Sequence, residues 1–146
     1  MIFKKMVCLG AALSLLACCH AYVPPQSLPE NCTFNHATFD LRFCWKVVRG
    51  PGGFTVPGYV TNSRYDAISG LELTATLLDD QGKPLGEASY FVIPPQLQID
   101  ETSPFTLVIP VTSAARPAQI KFLYRYRLAE RAADQTNYNS FVTDLR

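Results

Sequence analysis

The chain has 146 residues, 48% of them hydrophobic and 17% charged, which is long enough to bury one substantial core and too apolar for wholesale disorder. Its formal net charge is +1, and Lys4 and Lys5 are the only charged residues before position 22, so a chain cut there keeps 11 basic against 12 acidic residues, a net charge of −1. That balance carries no electrostatic footprint for nucleic acid and argues against such a partner.

The N-terminus reads as an export signal over residues 1–21. Lys4 and Lys5 form a basic start. The apolar run 6–17 has the length of a signal core and is too short for a comfortable membrane span. Small residues follow, and Pro24 and Pro25 cannot continue a helix. Two cleavage points compete. Leu15-Leu16-Ala17-Cys18 resembles a bacterial lipobox, with Leu16 standing where a small residue is usual. That resemblance implies lipidation of Cys18 and a membrane partner through the N-terminal lipid. The alternative is a cut after Ala21, with Cys19 and Ala21 as the small pair and a soluble periplasmic or secreted product. Either cut leaves Cys32 and Cys44 as an even pair. In an oxidising compartment they could close a short loop worth about 3 kcal/mol. Two free thiols are the other reading. Neither a CxxC nor paired histidines accompany them, which argues against zinc. Asn31-Cys32-Thr33 matches a glycosylation acceptor only formally, because the signal looks bacterial.

Residues 22–37 read as a tether, opening with the proline-rich 22–31, and residues 38–128 as the folded unit. Period-two patterns dominate that unit. In 38–48, Phe39, Leu41, Phe43, Trp45 and Val47 share one face and Asp40, Arg42, Cys44 and Lys46 the other. Cys44 is thereby placed opposite the core, so Cys32 must reach it across the outer face. Residues 49–53, RGPGG, make a turn, and 54–62 a strand whose Pro57 and Gly58 suggest an edge or a bulge. Residues 70–80 alternate Leu71, Leu73, Ala75 and Leu77 against Glu72, Thr74 and Thr76. Asp79-Asp80-Gln81-Gly82 turns the chain into a return strand at 83–93. Residues 104–111 place Phe105, Leu107, Ile109 and Val111 together, and 118–128 do the same for Ile120, Phe122, Tyr124, Tyr126 and Leu128. Residues 129–146 form a polar tail or one more edge strand, around 140–142. About seven short strands, each with one apolar face and none followed by a long helix, specify an all-β antiparallel sandwich.

Within residues 57–111, Gly58-Tyr59-Val60-Thr61-Asn62 is followed by LTATLLDDQGKPLGEA and then PFTLVIP, with KFLYRYRL closing the unit. This outline resembles the FxLYD-type domain of bacterial exported proteins and lipoproteins. The positions of the naming motif hold Ala75, Thr76, Leu77, Leu78 and Asp79, without its aromatics. The resemblance implies an immunoglobulin-like or fibronectin-like sandwich used as a binding or structural module.

Chemistry-bearing residues are sparse. His36 and Cys44 could pair as base and nucleophile, but no nucleophile motif surrounds them, and a loop histidine beside a structural cysteine is the simpler reading. Asp79-Asp80 and Asp100-Glu101 lack the spacing of a calcium loop and read as solvated turns. Gly50-Pro51-Gly52-Gly53 lacks the Lys-Ser/Thr of a phosphate loop. No cofactor or metal site is expected. The candidate binding surface comprises Tyr59, Tyr65 and Tyr90 as exposed aromatics, with Lys121, Arg125 and Arg127 as a basic strand face beside Arg116. Trp45 is expected in the core. The expected function is therefore a non-catalytic, lipid-anchored module of the cell envelope, with an envelope protein or a glycan as partner. The alternatives are an accessory or chaperone-like subunit that binds by strand addition and a carbohydrate-binding or hydrolytic domain.

Overall fold

Alternation of apolar and polar residues gives each strand one side that must be buried, and two sheets packed face to face satisfy all of them. A computed structural model describes residues 32–112, 114–129 and 135–146. The signal segment, Cys18 and the proline-rich part of the tether lie outside these residues. The first sheet holds β1 (Phe34–Ala37), β2 (Leu41–Trp45), β3 (Val48–Gly50), β4 (Gly53–Asn62) and β8 (Thr102–Pro110). The second holds β5 (Ile68–Leu78), β6 (Pro84–Phe91), β7 (Gln96–Leu97), β9 (Gln119–Leu128) and β10 (Thr136–Asp144).

All pairings are antiparallel. In the first sheet β4 lies between β8 on one side and β2 and β3 on the other, with β1 beyond β2. In the second, the order is β10-β9-β5-β6, and the short β7 extends the β6 side of β5. With β2, β4, β5, β6, β8, β9 and β10 as strands A, B, C, C′, E, F and G, the sheets are A-B-E and G-F-C-C′. This is the connectivity of an immunoglobulin-like sandwich with a C′ strand in place of D.

The inner faces carry the apolar residues that the alternation nominated. Leu41, Phe43, Trp45, Leu73, Leu77, Leu107, Ile120, Phe122 and Tyr124 are all essentially inaccessible. Aromatic rings knit the two layers. Between the sheets, Phe122 meets Trp45 at 5.0 Å and Phe43 meets Tyr124 at 5.3 Å between centroids, and within the second sheet Phe122 meets Phe141 at 5.2 Å. These are separations at which tilted or offset rings attract one another.

Several expectations need correction. The tether ends sooner than residue 37, because Phe34–Ala37 pairs with β2. Phe39 does not join the core. The chain turns at Thr38–Asp40 before β2 begins, and Phe39 is 85% exposed. Pro57 and Gly58 sit in a central strand and form no bulge there. Pro57 tolerates this position because its nitrogen faces the break between β2 and β3, where Lys46 N donates to the Pro57 carbonyl at 3.1 Å. At Gly58 a Cβ would overlap the Phe105 ring and the Cys44 carbonyl, so close packing demands glycine. Of the two readings of the C-terminal segment the edge strand holds: Thr136–Asp144 is a strand of nine residues, and it supplies Phe141 to the core.

Candidate functional site

The two ends of the sandwich are built differently. One end, here called the turn pole, closes with hairpins at residues 50–53 and 79–83. Each is made by local chemistry. Gly53 has φ 145°, and the Asp79 carboxylate accepts from the amides of Gln81 and Lys83 at 2.9 and 2.8 Å. The other end gathers the β1–β2 turn, the β4–β5 loop and the loop before β8. It is called the loop pole, and long-range bonds hold it.

Asn62 is its keystone. The side chain is fully buried. Its amide donates to the carbonyls of Asp66 and Leu97 at 3.0 and 3.1 Å, and its oxygen accepts from the Arg64 amide at 2.9 Å. The Asn62 backbone donates to Glu101 O and accepts from the Asp100 amide. One residue thus ties three segments together and satisfies its own buried polar atoms. Arg64 adds a second tie. It donates to Asp40 Oδ1 at 2.7 Å and to the Tyr126 hydroxyl at 3.3 Å, while Ser63 N donates to Asp40 O at 2.8 Å. Thr38 completes the turn by exchanging hydrogen bonds with Leu41 and accepting from the Tyr124 hydroxyl at 3.0 Å.

This half-buried cluster perturbs its titratable groups. Burial, reinforced by the Asp40 contact, raises the Tyr126 pKa far above the ordinary tyrosine value, and burial raises Tyr124 as well. Burial opposes the charge on Arg64, but Tyr126 and Asp40 outweigh it and leave the Arg64 pKa raised. All three shifts keep the tyrosines neutral and the arginine charged, the state that the hydrogen bonds need.

Two large side chains stand out from this fixed scaffold. Tyr65 is 95% exposed, between Arg64 and Asp66, and Phe39 is 85% exposed beside Asp40. The guanidinium carbon of Arg64 lies 5.4 Å from the centre of the Phe39 ring, so one ring face rests on the cation and the other meets solvent. Ile99 is also exposed, in the loop whose Asp100 pairs with Arg42. Among the described residues, the turns at the opposite pole expose no large apolar side chain.

The remaining candidates do not converge. Tyr59 lies on the outer face of the first sheet, in a shallow cleft with Cys32, Lys46, Pro57 and Thr106. Tyr90 points inward from β6 and packs against the core instead of joining a recognition patch. Lys121, Arg125 and Arg127 alternate along the outer face of the second sheet, as the period-two pattern requires. Arg125 is neutralised there by an ion pair with Glu72, its cross-strand neighbour. Arg116 is on another surface, in an open cleft with Arg49, Phe54 and Leu145. Of the six proposed surface residues, only Tyr65 belongs to the loop pole. Sequence reasoning missed Phe39, Asp40, Asn62 and Arg64, since no local pattern distinguishes a residue whose partners lie dozens of positions away. The one available signal was Asn62 closing the Gly58-to-Asn62 segment.

Cys32 and Cys44 form a disulfide with Cα atoms 5.5 Å apart, across the outer face of the first sheet. Cys44 is therefore no thiol, and His36 lies on the opposite face of the sheet, where its ring stacks on Phe141 at 3.8 Å. The conceivable nucleophile pair is not assembled. Among the described residues, no three His, Cys, Asp or Glu side chains come together as a metal site would need.

No protein-family model matches the chain, and no curated protein matches it. Among solved structures, it is similar to the crystal structure of yeast GGA1_GAE domain-P21, with a TM-score of 0.47 and 15% identity over 76% of this chain and 96% of that one. It is also similar to the GAE domain of GGA2p from Saccharomyces cerevisiae, with a TM-score of 0.39 and 14% identity over 76% and 94% of the two chains. The sandwich assignment rests on this chain's own strand pairing.

Proposed function

We propose that this protein is an exported, non-catalytic interaction module that contacts a protein partner through its loop pole. The observation that carries this reading is the contrast at Phe39 and Tyr65. Two large aromatic side chains are held 85% and 95% exposed on loops that a buried asparagine and a half-buried ion pair keep fixed. Rigid aromatic side chains offer contact area at little cost in conformational entropy, which is the property of binding hot spots. Loops at one end of an immunoglobulin-like sandwich are a natural place to present them.

The address is part of the same proposal. A signal-like start at residues 1–21 and a disulfide at Cys32–Cys44 both fit an oxidising compartment outside the cytoplasm. The FxLYD-like outline fits bacterial export, and the lipobox-like Cys18 would anchor the module to the envelope membrane. The intact mass of protein isolated from native membranes tests the anchor. A chain beginning at Cys18 with acyl groups supports it, and one beginning at Tyr22 without lipid removes it.

Photo-crosslinking in the native host tests the binding reading. A photo-reactive residue at Tyr65 should give a discrete protein adduct that Phe39→Ser abolishes. The same group at Gln81, exposed at the turn pole, should give none. Equal adducts at both poles, or none at Tyr65, would overturn the assignment of the loop pole.

A further inference from the structure

Neighbouring residues of a strand direct their backbone N–H and C=O alternately to the two sides, so one ladder bond fixes which residues face a free edge. In β8 the bond from Val111 N to Gly52 O sets odd-numbered residues toward β4. The free edge then falls to Thr102, Pro104, Thr106, Val108 and Pro110. Two of these five are prolines, which have no N–H to offer, so this edge is blocked against another strand.

The edge of β10 is the reverse. Leu145 N donates to Ala118 O at 2.8 Å, which sets odd-numbered residues toward β9. Thr136, Tyr138, Ser140, Val142 and Asp144 face outward, and none is proline. The midpoint of Thr136–Asp144 is Ser140, itself an edge-facing residue. A two-fold axis at Ser140 would therefore pair two antiparallel copies of β10 along their whole length. Ser140 would meet Ser140 of the second copy, Tyr138 would meet Val142, and Thr136 would meet Asp144, with a donor opposite an acceptor at every position. An axis at Tyr138 or Val142 would leave part of the strand unmatched.

Side chains fit the same register. Tyr138 is 66% exposed and Val142 50% exposed, and they would form an aromatic–β-branched cross-strand pair twice over. Asp144 would lie one strand from Arg127 of the second copy, since Arg127 is the β9 neighbour of Thr136. Among the described residues Arg127 makes no ion pair. The charges across the junction are thus complementary, and no like charges face each other directly. We propose that the protein forms a two-fold dimer by antiparallel pairing of β10 with β10 of a second copy, centred on Ser140. In the monomer the Ser140 amide is occupied by Asn139 Oδ1 at 2.9 Å, a local bond that the pairing exchanges for an inter-strand one. The dimer fuses the G-F-C-C′ sheets into one of eight strands and points its two loop poles in opposite directions, making the assembly bivalent. This inference is independent of the loop-pole reading, because β10's edge takes no part in that surface.

Sedimentation of the disulfide-intact protein tests it. The wild type should sediment at twice the chain mass. Ser140→Pro should sediment at the single-chain mass with its fold intact, because that N–H is not used in the β9 ladder and β8 already tolerates proline at two such positions. A second measurement covers a Ser140→Pro chain that fails to fold. In the proposed register the Cα atoms of residue 140 are about 5.5 Å apart, whereas those of residue 136 are separated by eight residues of strand, about 26 Å. A short thiol-to-thiol crosslinker should therefore join Ser140→Cys chains and leave Thr136→Cys chains single. A wild type that is monomeric at every concentration, a dimer that survives Ser140→Pro, or crosslinking at residue 136 and not at 140 would each overturn the proposal.

Discussion

The turn pole and the loop pole close the same sandwich by opposite means. At the turn pole each hairpin is made within a few residues, by glycine at a positive φ and by Asp79 bonding the amides of its own turn. At the loop pole Asn62 reaches Leu97, Arg64 reaches Asp40 and Tyr126, and Tyr124 reaches Thr38. That contrast decides where the fold can carry a surface for contact. A local turn spends its side chains on its own geometry. A loop held by distant partners has side chains left over, and Phe39 and Tyr65 are those left over here.

Four substitutions or conditions probe that contrast, in descending order of effect. Gly53→Ala should destabilise the protein by about 3 kcal/mol, the sum of a forbidden φ and a Cβ that overlaps the Ile109 carbonyl oxygen. Urea unfolding measures it, and an effect under 1 kcal/mol would mean that the turn relaxes freely. Asp40→Asn should cost about 2 kcal/mol by removing the closer of the two carboxylates that pair with Arg64. Its loss should be local, with faster amide exchange at residues 63–66 and unchanged exchange at 79–83. Uniform acceleration at both poles would contradict the separation drawn here.

The third probe is alkaline pH. Tyr126 and Tyr124 have raised pKa values in the folded chain. Above the ordinary tyrosine value of about 10, the unfolded chain loses protons that the folded chain still holds. Stability is therefore complete below that pH and declines above it. Tyr126→Phe should flatten the decline between pH 10 and 12, even where it lowers stability at pH 7, and an unchanged slope would sink the assignment. The smallest expected effect is that of Phe39→Ser and Tyr65→Ser on stability, within about 0.5 kcal/mol each. A larger loss on thermal unfolding would make these aromatics structural and weaken the loop pole as a contact surface.

Much of the fold is legible in the sequence. Inner-face residues of β5, β8 and β9 are the ones their alternation nominated, and Cys44 faces outward as its place between Phe43 and Trp45 required. Phe39 shows the limit of that method. It continues the odd-numbered alternation of Leu41, Phe43 and Trp45, yet the Thr38–Asp40 turn takes it out of the strand. Tyr90 fails in the other direction, since a tyrosine on an edge strand reads as exposed until the opposite sheet is placed over it.

Local pattern alone fixed strands β2, β5, β8 and β9 with their buried faces, and the tight turns, because period-two burial and turn geometry are properties of a few consecutive residues. It took the packed sandwich to settle which strands are edges, that Pro104 and Pro110 block one of them while β10 stays open among the described residues, and that Asn62, Arg64, Asp40 and Tyr126 meet. Those outcomes depend on which segments become neighbours across the two sheets, and no local pattern in the chain carries that information.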